Sequence, residues 1–572
     1  MTAQRVEMPT YPGRRLVVLF LFLLGMLLLA LRAIELQVFQ HDFLQQKGNA
    51  HQTRVVNIPA HRGKILDRHG EPLAISTPVD SVWVNPREIE LTPKTVSLLS
   101  QLLGMKQDEI RSRIEGRAGK GFVYLKRQVP PSLAKQVKAL KLAGVRVDRE
   151  YRRYYPMGEV FGHLLGFTNV DDQGQEGLEL AYDDWLTGVG GSKRVIREGR
   201  GHVIGDVELI QSAKPGQDLQ LSIDGRIQYL AYRELKSAVK AHKAESGSVV
   251  VLDPQTGEIL AMANQPSFNP NNRRQFRSEL YRNRALKDVF EPGSTAKPFT
   301  IAAALESGKF MPTTLIDTSP GYYQVSGFPI KDSKNLGKID LSTIISRSSN
   351  VGASKIALQL APEQLWDVFQ KLGFGQPTGT GFPGEVGGVL RDYSQWYPLD
   401  RATLAFGYGF SVTALQLAQA YSVLAANGVY RPLSLLASAQ AAEPTAVISP
   451  QTSLELRQMM RQVVRPHGTG SKAAVEGYDV AGKTGTARKA VGGGYAKDQY
   501  VSVFAGMVPV EAPRLVAVVV IHDPKAGKFY GGDVAAPVFS RIVSGALRQL
   551  NVAPTVNPGR DNNVAMRKGS EV

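Results

Sequence analysis

A chain of 572 residues exceeds one ordinary domain and predicts about three or four units, fewer where one domain is large. Its 43% apolar and 21% charged residues are those of a folded protein, and the absence of cysteine excludes disulfides, thiol catalysis and cysteine-ligated metals together. The net charge of +17 invites a nucleic-acid reading, but Lys and Arg are spread along the chain with neither zinc-finger spacing nor an aromatic-basic RNA-binding signature. No nucleic-acid partner is expected, and a polyanionic membrane or cell-wall surface explains the charge equally well.

The first element is apolar. After Arg14 and Arg15 comes LVVLFLFLLGMLLLAL, Leu16 to Leu31, continued past Arg32 by AIELQVF. A terminal Arg can snorkel, so residues 16–39 are long enough to cross a membrane. A cleaved signal peptide is the alternative, but the run is longer than an ordinary signal core and no Ala-x-Ala site follows. Arg5, Arg14 and Arg15 outweigh Glu7, which assigns residues 1–15 to the cytoplasm, and with no second apolar run of spanning length everything after about residue 40 is assigned to the outside.

From 41 to 211 the pattern is mixed, with short strands, short helices and many turn residues. Ala60 to Ser76 reads as two strand pieces around charged turns, and PPSLAKQVKALKLAGV as an amphipathic helix with a Gly stop. Ser212 to Asp218, SAKPGQD, reads as a boundary. Over 218–552 the elements lengthen. RIQYLAYRELKSAVKAH is helical, and SGSVVVLDPQTGEILAMAN is a hairpin around Asp253 to Gly257. TALQLAQAYSVLAANG is a helix with a Thr413/Gln416 capping box, YVSVFAGMV and RLVAVVVIHD are strands, and APVFSRIVSGALRQL is a closing helix. Residues 553–572 read as a disordered tail. Antiparallel hairpins at both ends of the unit with helices between them predict an α+β fold, an antiparallel sheet covered by helices.

Three motifs in this last unit carry chemistry. In EPGSTAKPFT, Ser294 and Lys297 are three apart at the start of an apolar helical run, FTIAAALES. Burial and the positive helix end both favour a neutral amine there, one able to act as a base toward the serine hydroxyl. Ser-x-x-Lys alone is common; Ser132/Lys135 and Ser237/Lys240 match it on helices that read as solvated. RSSNVGASK supplies Ser348 and Asn350, and AGKTGTA supplies Lys483, Thr484, Gly485 and Thr486. Matches to Ser-x-Asn at Ser267 and Ser333 are set aside, because a helical run follows Ser348 and it lies between the other motifs. Ser348 is suited to relay a proton, Asn350 to hold a substrate amide, Lys483 to place positive charge near a carboxylate, and Gly485 to let an extended peptide approach an edge strand. The backbone N–H groups of Ser294 and Thr486 are the candidate oxyanion hole. Gly477 to Thr484, GYDVAGKT, also fits a phosphate-binding loop letter by letter, but the glycine-rich, non-helical sequence after it does not open a helix. The histidines form no HExxH pattern, and no metal or organic cofactor is expected. Asp67/Arg68 and Glu176/Glu179 read as turn residues and structural ion pairs.

The order Ser-x-x-Lys, Ser-x-Asn, Lys-Thr-Gly is that of β-lactamases and penicillin-binding proteins, and nearly the whole chain resembles a class B penicillin-binding protein. RGKILDRHGEPLA and GQEGLELAYDDWLTG are similar to that family's pedestal signatures. FEPGSTAKPF, SSNVG, GYGFSVTALQLAQAY and AGKTGTA are similar to the division-specific penicillin-binding protein 3 group, and Asn350 stands where elongation-type relatives usually carry aspartate.

The resemblance implies a transmembrane anchor over 16–39, an elongated mixed α/β pedestal over 41–211 and a serine β-lactamase-like transpeptidase domain over 218–552. It implies a D,D-transpeptidase that cross-links peptidoglycan stem peptides at the septum through a Ser294 acyl-enzyme, and that β-lactams acylate. It places the chain in the inner membrane with a periplasmic catalytic domain. Its implied partners are a membrane-embedded glycan polymerase, since no glycosyltransferase domain precedes the pedestal, and other division proteins. Two alternatives use the same residues: a carboxypeptidase, β-lactam hydrolase or elongation-type relative, and a β-lactam-binding scaffold with little turnover.

Overall fold

The computed structural model describes residues 12–43, 53–197, 203–272, 277–437, 443–492 and 494–555. The tail read as disordered lies outside the described residues from 556 onward, as does most of the segment read as cytoplasmic. The apolar run is helical from Pro12–Ile34 and continues as a π-turn over Glu35–Phe39. No side chain of the α-helical part is buried, so among the described residues nothing of the protein covers it. Arg32 pairs with Glu35 at 2.6 Å and Gln40 donates to the same carboxylate, which gathers the polar groups at the end of the apolar stretch.

The chain forms two compact units: residues 1–60, 80–150 and 188–215 make one, and 61–79, 151–187 and 216–572 the other. The last passage between them falls within Ser212–Asp218; the two earlier returns are invisible to a linear reading of composition. In the first unit, Thr53–Ile58, Gly191–Arg197 and Val203–Gln211 form an antiparallel sheet. A separate core of Val82, Leu99, Leu103, Ile110 and Val123 packs helices against the strand Val123–Val129. The helix expected over PPSLAKQVKALKLAGV is Pro131–Ala139; Lys141 takes φ 49° and turns the chain before Gly144 is reached.

In the second unit, buried Glu179 accepts from Arg62 Nε at 2.8 Å and from Arg153 Nε at 2.6 Å, and all three side chains are at most 2% exposed. Asp67 accepts backbone N–H bonds from His69 and Glu71 in a tight turn. Asp67 and Glu179 thus have the expected turn and ion-pair roles, and Arg68 pairs with Glu258 at 3.2 Å.

The second unit centres on five antiparallel strands, β1 (Ser246–Leu252), β2 (Ile259–Gln265), β3 (Ala481–Val491), β4 (Gly494–Val508) and β5 (Leu515–His522), in the order β2-β1-β5-β4-β3. β1 and β5 are buried at every position, as strands covered on both faces must be. Val249, Val251, Val519 and Ile521 join a core with helices α1 (Gly225–Ala241) and Ala536–Gln549. Their neighbours Val250, Leu252, Val518 and Val520 face the larger core. That core contains α2 (Lys297–Glu306), α3 (Leu341–Arg347), α4 (Asn350–Gln359), α5 (Ala414–Ala425) and Pro450–Val464. α1 starts where Asp224 accepts from the backbone N–H groups of Arg226 and Ile227, and α5 where Thr413 and Gln416 close the expected capping box. α2 is buried from Lys297 through Ala304, which fixes it as the central helix.

Candidate active site

The serine motif is built on a change of helix type. Gly293–Ala296 forms a 3₁₀ turn that runs into α2, and in a 3₁₀ turn residues three apart eclipse. Ser294 and Lys297 are thereby superposed, with Lys297 Nζ 2.9 Å from Ser294 Oγ. Ser294 is half-buried and Lys297 fully buried. The matching pairs at Ser132/Lys135 and Ser237/Lys240 are exposed.

The second motif arrives from the opposite side. Ser348 closes α3 in the left-handed region, φ 62°, and Ser349 caps α4 by accepting from Gly352 N at 2.9 Å. A non-glycine residue in that region is strained and is retained where the surroundings over-determine it. Here Asp332 supplies the restraint: its carboxylate accepts from Ser349 Oγ at 2.5 Å, Asn350 N at 2.6 Å and Val351 N at 3.1 Å. The turn delivers Ser348 Oγ, Ser348 O and Asn350 Oδ1 to Lys297 Nζ at 3.0, 2.7 and 2.7 Å. The Asn350 amide is oriented independently, because Nδ2 donates to Lys331 O at 3.1 Å.

The third motif lies on β3, the edge strand, and opens no helix. This disposes of the phosphate-loop alternative. Lys483 Nζ is 3.1 Å from Ser348 Oγ and also donates to Thr484 O at 3.1 Å. Thr484 Oγ1 meets Thr469 Oγ1 at 3.0 Å. Gly485 sits where a Cβ would come within 2.9 Å of Pro292 O and 3.0 Å of Thr295 Cγ2, so glycine allows the strand to approach the serine turn. Thr486 accepts from Gly531 N at 3.0 Å, and its carbonyl passes within 3.7 Å of the point a Gly293 Cβ would occupy. All eight residues singled out in the sequence are therefore brought together.

Desolvation pushes the Lys297 amine well below the ordinary lysine range; the nearby Lys483 charge pushes the same way and Asp332 opposes it. Burial alone lowers Lys483 to about 7. A neutral Lys297 amine has two hydrogens and one lone pair. Ser348 O and Asn350 Oδ1 only accept, and they are its two shortest neighbours, so they take both hydrogens. The lone pair is left for the hydroxyls of Ser294 and Ser348. The arrangement can therefore take a proton from Ser294 and pass one through Ser348.

Ser294 opens into a cavity of about 450 Å³. Asp332, Arg347, Thr469, Lys472, Tyr530 and Asp533 also line it, and none was found from sequence. They come from four short segments, at 332, 347, 469–472 and 530–533, that match no motif read in the sequence.

A family model described as penicillin binding protein transpeptidase domain matches residues 247–544, and one described as penicillin-binding protein dimerisation domain matches residues 57–221. The chain is 41% identical over 557 residues to the "Probable peptidoglycan D,D-transpeptidase PenA" of Neisseria gonorrhoeae, covering 96% of this chain and 95% of that one. It is 42% identical over 562 residues to the "Peptidoglycan D,D-transpeptidase FtsI" of Escherichia coli K12, again covering 96% and 95%. The apo transpeptidase domain of Burkholderia pseudomallei penicillin-binding protein 3 is 43% identical with a TM-score of 0.55, covering 59% of this chain and 98% of that one.

Proposed function

The chain belongs to the penicillin-binding transpeptidases, and from that premise we propose a residue-by-residue mechanism in which Ser294 is the acyl-carrying nucleophile. The protein is a serine-type peptidoglycan D,D-transpeptidase of the division type, bound covalently by β-lactams. The observation that carries the mechanism is the setting of Lys297 Nζ, within 3.0 Å of both serine hydroxyls and of two oxygens, Ser348 O and Asn350 Oδ1, that can only accept.

Ser294 Oγ attacks the carbonyl carbon of the penultimate D-Ala as its proton passes to Lys297 Nζ. The backbone N–H groups of Ser294 and Thr486 hold the oxyanion. Ser348 Oγ, bridged to both amines, hands a proton to the leaving nitrogen and is resupplied from them. The C–N bond breaks, and D-Ala departs from the ester. The amine of a second stem attacks that ester and returns its proton through the same groups to Ser294, which leaves as the hydroxyl. Asn350 holds the donor amide, and Thr484, Gly485 and Thr486 line the donor along β3. A β-lactam follows the first half, but its leaving nitrogen stays tethered in the adduct.

The apolar helix fits a single-pass anchor. Our reading places the N-terminus in the cytoplasm and the catalytic domain in the periplasm, with 41–211 as pedestal and 218–552 as transpeptidase domain. Division proteins and a membrane-embedded glycan polymerase are the proposed partners.

The test is partition of the acyl group. Full-length protein in detergent, given a pentapeptide donor ending in D-Ala-D-Ala and an amine acceptor, should release D-alanine and form the cross-linked product, with product falling to background in Ser294→Ala. Release of D-alanine with only the shortened peptide as product would make it a carboxypeptidase.

A further inference from the structure

The charge balance of the cavity leaves one cation without an acidic partner. Among the described residues, four charged side chains line it: Asp332, Arg347, Lys472 and Asp533. Asp332 is held by three donors at the Ser349–Val351 turn. Lys472 and Asp533 form an ion pair at 2.5 Å. Arg347 donates Nη1 to the backbone carbonyl of His467 at 2.8 Å and has no acidic partner among the described residues.

Lys297 and Lys483 are each 0% exposed, lie behind the cavity wall rather than on it, and are shared with Ser348. Lys297 acts as a neutral base, and Lys483, lowered to about 7 by burial, carries only part of a charge at neutral pH, so neither is a standing counter-charge. The cavity that Arg347 lines is instead rich in neutral hydroxyls, those of Thr469, Thr484 and Thr486. Thr484 donates to Thr469, which leaves the hydroxyl hydrogens of Thr469 and Thr486 for a ligand, and two free hydroxyls in one cavity with an unneutralised guanidinium are the chemistry of a carboxylate site.

We propose that Arg347 supplies the standing positive charge that selects the terminal carboxylate of the donor stem peptide and the carboxylate of β-lactams. The proposal rests on the transpeptidase reading above, since that reaction requires a donor ending in a free carboxylate. Arg347 also ends α3, where any cation is favoured by the helix dipole. A dipole partner has no need to line the cavity, however. The bond to His467 spends one of five N–H donors and fixes the fork while leaving the others to the ligand. Arg347 is a specificity residue in this scheme and takes no part in proton transfer.

The test measures second-order acylation rate constants of full-length protein in detergent with benzylpenicillin and with its uncharged methyl ester. Wild type, Arg347→Gln and Arg347→Lys are compared. Arg347→Gln should lose about fivefold on the acid, the size expected of a partly exposed charge pair. Its rate on the ester should stay within about twofold, and Arg347→Lys should recover most of the acid rate. Equal losses on acid and ester would assign Arg347 to holding the Ser348 turn and overturn the proposal, as would an unchanged acid rate. A wild type that neither compound acylates would instead refute the transpeptidase reading beneath it.

Discussion

Lys297→Met removes the amine while keeping an unbranched chain of similar length in the buried first turn of α2. The deleted group has four oxygen neighbours at 2.7 to 3.0 Å. Removing a positioned general base slows the step it serves by roughly 10²- to 10⁴-fold, about 3 to 5 kcal/mol on the barrier. Folding is affected much less, because two terms oppose each other. Ser348 O and Asn350 Oδ1 lose a donor, at about 1 to 3 kcal/mol for each left unpaired. Against this, the wild type must strip a proton from a group whose ordinary pKa is 10.5, at about 1.4 kcal/mol for each unit of depression. The assay is acylation by a fluorescent penicillin across pH, beside a thermal melt. The wild-type rate should rise with pH as the coupled Lys297 and Lys483 pair loses a proton, and the variant should lose both rate and rising limb. A loss of less than tenfold, or a rising limb that survives, refutes Lys297 as the base.

Gly485→Val places a side chain against Pro292 O and Thr295 Cγ2, so β3 must back away from the serine turn. Acylation should fall about 10²-fold for a loss of only about 1 to 3 kcal/mol in stability, read as rate against melting temperature. Glu179→Gln leaves the buried guanidinium groups of Arg62 and Arg153 without the charge between them and should cost about 3 to 5 kcal/mol in denaturant unfolding. Stability should also fall with acid. His163 and His522 both drop to about 4 on burial, so the folded chain binds fewer protons than the unfolded one between about pH 4 and 6.5. Their contribution is complete above the upper limit and is lost as pH falls through the window. Asp172, raised to about 6 by burial, works in the opposite sense and cancels about one of the two protons. These three groups together contribute a slope of about 1.4 kcal/mol per pH unit near pH 5, and His242, also lowered by burial, adds to it in the same sense, measurable as melting temperature against pH.

What could be read in the sequence is what local physics dictates. The lysine in an apolar helix start breaks the rules for both burial and the dipole, and the structure places it at the centre of the site. Alternation and capping signals located β1, β2, β4, β5 and α5, because each is fixed by neighbours in the chain. Asp332 was not legible, since its value lies in three donors contributed by residues 349–351, and an isolated aspartate carries no sign of them. Arg347 reads as an ordinary residue at a helix end until the cavity shows that its expected partners are engaged elsewhere. The return of segments 61–79 and 151–187 to the second unit depends on long-range packing that composition does not encode.

The most direct test of the central claim is the intact mass of the full chain after incubation with benzylpenicillin, beside Ser294→Ala. With Ser294 as nucleophile, the wild type gains one drug mass in a stable adduct and the variant gains none. An adduct of equal yield in Ser294→Ala, or none in the wild type, contradicts it.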